Sequence, residues 1–210
     1  MRGLLTAVTA ALSFMTAGAA QATVLTFETP VTDYFISNKV GPYPGLTFQY
    51  FSTVSNVSYP TSGYTNVITS GTQSACGCAA DFGQKISSIT SDTPFDFIGG
   101  SFASAWVDGV TLLVNGYVNG AVLYSDLYFL DTKGRIQTFY FMGIDRLEFS
   151  IVDVPPGAFP GSGDYFAVDD LVINSHAVPE PATWTMLIAG FGAMGGALRR
   201  RQRRSLEALA

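Results

Sequence analysis

Hydrophobic and polar positions alternate along the middle of the chain with a period of two. Phe95 and Phe97 flank Asp96, and Val110, Leu112 and Val114 share one side, with Thr111 and Asn115 on the other. Leu147, Phe149 and Ile151 alternate with Glu148 and Ser150, and Leu46, Phe48 and Tyr50 line up in the same way. That period places one set of side chains on each face of a strand. Val24–Phe27 and Tyr165–Ile173 read as the first and last strands. Asn119-Gly120 separates the apolar runs 111–118 and 121–129. Both residues tolerate the positive φ of a type I′ turn, so the pair predicts a hairpin. Lys133-Gly134 marks another turn. About nine or ten short strands and no amphipathic helix predict an all-β domain, a β-sandwich or jelly roll, over residues 23–175. Residues 52–80 are rich in Ser, Thr, Asn and Gly and read as a long surface loop with short strands.

The two ends break this pattern. Arg2 precedes an uncharged apolar stretch, Leu4–Met15, and Ala20-Gln21-Ala22 puts small residues at the −3 and −1 positions of a signal peptidase site. Residues 1–22 therefore read as an export signal cleaved after Ala22. At the other end, linker residues 176–181 lead into 17 uncharged residues, Ala182–Leu198, and then an arginine cluster reaching residue 204. As a helix those 17 residues span about 25 Å, the lower edge of a membrane crossing. Arginines belong on the cytoplasmic side. The expectation is a transmembrane helix with its Arg cluster over 182–204, a tail over 205–210, and the domain outside the inner membrane.

Charge agrees. Residues 23–178 hold 14 Asp and Glu against 5 Lys and Arg, whereas residues 179–210 hold 5 Arg against 2 Glu. An acidic domain excludes nucleic acid as a partner, because phosphates need Lys and Arg.

Pro179-Glu180-Pro181, Trp184, the run Met186-Leu187-Ile188 with Gly190-Phe191-Gly192, and Arg199-Arg200-Arg201 together resemble the PEP-CTERM sorting signal of Gram-negative bacteria. Thr185 stands where Ala is usual in the variant with Trp. The resemblance implies recognition by an exosortase, processing near Pro179–Pro181, and association with an exopolysaccharide or biofilm matrix. Trp106–Thr111, Gly116–Gly120 and Phe166–Leu171 are similar to the sandwich ectodomains of such proteins and, more loosely, to galactose-binding-like jelly rolls.

In jelly-roll carbohydrate modules a carboxylate on the first strand and an Asp on the last often bind structural Ca²⁺. Glu28 and Asp169-Asp170 stand at those places, and calcium favours such hard oxygen ligands. Tyr43, Tyr50, Tyr59, Tyr64, Tyr117, Tyr124 and Trp106 are candidates for stacking on sugar faces, set against core packing. Enzymatic activity is not expected. Asp169-Asp170 and Asp145/Glu148 suit a glycosidase only by residue type, and strand neighbours such as Asp169 and Asp170 face opposite ways unless a bulge intervenes. The single His176 lies in the linker, outside any Ser-His-Asp arrangement. Cys76 and Cys78 lie too close to staple distant segments, and form at most a local disulfide or pair with another chain.

Overall fold

The computed structural model describes residues 22–28, 40, 43–156, 158–159, 161–175, 188–195 and 199. The chain divides into two units. Ala20–His176 holds every described strand; in the other, Met1–Ala19 with Ala177–Ala210, residues 188–195 and 199 are helical. Among the described residues no helix is long and apolar enough to cross a membrane. The transmembrane helix expected over 182–204 is thus not shown, because most of that stretch lies outside the described residues. The export signal, apart from Ala22, lies outside them too, as do Pro179–Pro181, Trp184, Arg200 and Arg201. Arg199 is helical and exposed.

The strands are β1 (Ala22–Leu25), β2 (Leu46–Gln49), β3 (Phe51–Ser55), β4 (Gln73–Gly77), β5 (Ile86–Ser104), β6 (Val110–Val118), β7 (Ala121–Leu130), β8 (Arg135–Asp153) and β9 (Phe166–Ser175). All pair antiparallel in the order β3-β4-β9-β5-β8-β6-β7, with β1 added to β9 and β2 to β5. The short strands expected from sequence prove in two cases to be 19 residues long. Near its middle each long strand carries irregularities in register. Three extra β5 residues lie between Thr90 and Phe95, and β8 has extra residues around Tyr140 and Gly143, both at positive φ. Asp96, buried in β5, accepts a hydrogen bond from Gly143 N at 2.7 Å and pins that bulge. Bulges bend strands and raise their twist. The front of β5 and back of β8 therefore join β2, β6 and β7 in one layer, while their other halves join β9, β4 and β3 in a second.

The core fills the space between the layers. Phe149 is fully buried among Phe51, Phe97, Phe102 and Phe166, with ring centroids 5.6–6.1 Å away. Tyr124 of β7 stacks on Phe141 of β8 at 4.9 Å and 8°. Asn119 and Gly120 take φ of 50° and 81°, as the hairpin requires.

The polar segment 52–80 is not simply a surface loop. It forms β3, a one-turn helix α1 (Gly63–Asn66), β4 and a 3₁₀ turn (Ala79–Phe82). Tyr64 and Val67 pack with Cys76, Cys78, Ala103, Ala105 and Ala167 on the outer face of the second layer. Small residues on β5 and β9 let α1 approach this closely. A Cβ on Gly63 would collide with the Ser104 carbonyl.

Candidate functional site

Residues 69–73, running from α1 into β4, wrap three carboxylates. Asp169 Oδ2 accepts from Thr69 N at 2.7 Å and Ser70 N at 3.1 Å. Asp170 accepts from the Thr69 hydroxyl at 2.7 Å and the Ser70 hydroxyl at 2.6 Å. Glu28, just past β1, accepts from Thr72 N and Gln73 N, both at 2.8 Å. Gly71 takes φ +63°, and its missing Cβ leaves room for the Glu28 carboxylate.

The consecutive acids reach the same loop because the strand is bulged there. Asp170 has φ +47°, and β9 holds an extra residue between the partners of Gly99 and Ser101. The ordinary alternation that separates Asp169 from Asp170 is thereby broken. The three residues picked from sequence for calcium meet at one loop, but there N–H and O–H donors already satisfy most of their oxygens. Among the described residues no group of three or more acidic, His or Cys side chains is gathered as a metal-ligand set. The feature that suits a cation is Asp169 Oδ1, which is buried and has no hydrogen-bond partner.

Asp169 is fully buried. Burial pushes its pKa up to about 6 from 3.8, against the pull of the Thr69 and Ser70 amides. Its folded form therefore binds a proton more tightly than its unfolded form. Between about pH 4 and 6 the folded state holds a proton that the unfolded state has released, so this group's contribution to stability falls as pH rises through that window.

Asp145 and Glu148 each have a partner of their own. Asp145 accepts from Asn119 N at 2.6 Å and steadies the hairpin, while Glu148 lies 3.3 Å from Arg146. Cys76 and Cys78 are joined by a disulfide, buried beneath Tyr64, whose hydroxyl lies 3.3 Å from Cys76 Sγ. Three of the seven candidate aromatics serve packing: Tyr43 and Tyr124 lie against the core, and Tyr64 is buried. Trp106 and Tyr59 differ. Each is 42% exposed, and their rings meet edge to face at 5.1 Å. A cleft of about 260 Å³ near the 3₁₀ turn shares no residue with the carboxylate cluster.

The family model described as the PEP-CTERM protein-sorting motif matches residues 177–202. The chain carries a PEP-CTERM sorting motif. The match spans the Pro-Glu-Pro triplet, Trp184 and the arginines Arg199, Arg200 and Arg201. A PEP-CTERM motif is a C-terminal sorting signal of exported proteins, recognised by an exosortase. No curated protein matches the chain. Among solved structures, the chain is similar to TmCBM61, determined in complex with β-1,4-galactotriose, at 9% identity and a TM-score of 0.38, over 67% of this chain and 94% of that one.

Proposed function

We propose that this is a non-enzymatic surface protein, held in the inner membrane by its C-terminal segment until an exosortase processes it, and then structural or adhesive in an exopolysaccharide matrix. The sorting motif at 177–202 is the observation that carries this reading, and the acidic, export-compatible domain supports it. Intact mass of the protein from its host, with and without the exosortase, tests it. The expected species runs from Thr23 to near Pro179–Pro181 only when the exosortase is present. A species keeping Arg199–Ala210 in both strains overturns it.

A second reading makes the domain a carbohydrate-binding module of the cell surface. The exposed Trp106–Tyr59 pair favours it, since aromatic faces stack on sugars.

In either reading a structural calcium would be held by Glu28, Asp169 and Asp170, with Asp169 Oδ1 the one of their oxygens that no donor occupies. With chelator present, the stability of the wild type relative to Asp169→Asn is expected to fall as pH rises from 4 to 6. Calcium at about 100 times its Kd adds about 2.7 kcal/mol, and restores the loss at pH 7.5. Asp169→Asn removes the calcium response. Melts of the wild type indifferent to chelator and calcium eliminate the ion.

A further inference from the structure

The two outer faces of the sandwich are unequal. That of the second layer is covered by α1 and its flanking segments. Over the outer face of the first layer, formed by β2, β5, β8, β6 and β7, no described element packs. Strand register defines what lies on it, because residues directly opposite one another share a face. One row crosses all five strands as Gln49, Ser88, Glu148, Asn115 and Ser125. The next row is Thr47, Thr90, Arg146 and Tyr117, ending at Val122.

Nine of these ten positions carry a hydroxyl, amide, carboxylate or guanidinium, in a chain only 13% charged. They are organised rather than loosely solvated. Arg146 lies over the Tyr117 ring at 4.1 Å, and Ser88 donates to Gln49 at 3.3 Å. Glu148 beside the Tyr117 hydroxyl raises its pKa above the ordinary value. Two atoms at the centre are shielded from solvent yet unpartnered: Asn115 Oδ1, and Arg146 Nε, which lies 3.3 Å from Glu148 but is misaligned for a hydrogen bond. Where β2 and β5 pair, the second row adjoins a recess of about 180 Å³, in which Gly45, Leu46, Ser91 and Asp92 join Thr47 and Thr90.

We propose that this polar band binds a linear, neutral polysaccharide lying across the strands. The inference rests on the carbohydrate-binding reading, and places its ligand away from Trp106. A protein partner would need an apolar centre to desolvate; the two rows have none, and the apolar side chains of this face, Ile86, Leu113 and Leu127, lie in the row beside them. Its one Arg and one Glu pair with each other, so a charged chain gains nothing. Strands lie about 4.8 Å apart, close to the length one hexose adds to a linear chain. A glycan crossing them meets a new donor or acceptor with each sugar.

Binding of the full chain, in detergent, to linear gluco-, manno- and galacto-oligosaccharides from tetramer to hexamer tests this. Asn115→Ala and Thr47→Arg, the latter at an exposed position where the fold is indifferent, are expected to weaken binding about tenfold or more with unchanged melting. Trp106→Ala is expected to leave it intact. If Trp106→Ala abolishes binding and the band variants do not, the band is wrong and the carbohydrate reading stands. If the wild type binds none of these glycans, both fall.

Discussion

Replacing Gly99 with alanine is expected to cost the domain about 3–5 kcal/mol and to lower its melting temperature by about 10 °C. Gly99 sits in β5 between β8 and β9, at a register irregularity with both, with φ +154°. Alanine there is strained whatever the space. There is also no space: a Cβ would run into the Gln137 carbonyl of β8, which is backbone and cannot swing aside. Relief requires prising β5 from β8, the pairing that both layers share. A domain of this size has about 5–15 kcal/mol to lose. Denaturant unfolding of Gly99→Ala beside Gly120→Ala, a turn glycine with nothing within 4 Å, separates collision from backbone conformation. Equal losses at the two sites would count against the collision with the Gln137 carbonyl as the source of the cost.

Phe149→Ala should destabilise by a similar amount, about 3–5 kcal/mol, for a different reason. Its ring joins aromatic residues from β3, β5 and β9, so truncation leaves a cavity bounded by several elements that cannot all collapse into it. Phe149→Leu, which conserves much of the volume, is expected to cost less than about 1.5 kcal/mol. The urea midpoint is the measurement. A lowered midpoint with unchanged slope indicates a two-state loss of packing, and equal midpoints for Ala and Leu would mean the cluster tolerates a void.

The sequence was most legible where one signal decided the outcome. Asn119-Gly120 placed the β6–β7 turn, and alternation in 110–114 and 147–149 picked out the core face, since Val110, Leu112, Val114, Leu147 and Phe149 are all buried, although Thr111 on the other face is buried too. It misled where a bulge reset the period. Tyr50 does not continue the face of Leu46 and Phe48, because its φ is +59° and its ring turns to Phe82 at 5.4 Å. The two 19-residue strands are not visible as such in the sequence, because Pro94, Gly99 and Gly143 interrupt their alternation. Segment 52–80 hid its role because it packs on Ala and Cys, which give no periodic signal. Of the carboxylate cluster, Glu28, Asp169 and Asp170 were found by position. Thr69, Ser70 and Gly71 were missed: nothing local marks a loop whose partners lie about a hundred residues on.

The last strand has a mechanical consequence. β9 is hydrogen-bonded along both edges, to β5 on one side and to β4 and β1 on the other, and the chain continues from it into the sorting motif. A pull on the C-terminal side loads β9 along its own axis. Ladder hydrogen bonds lie across that direction, so they bear the load together rather than opening one by one. A cell attached through this end would tug on the part of the domain best built to resist being drawn out.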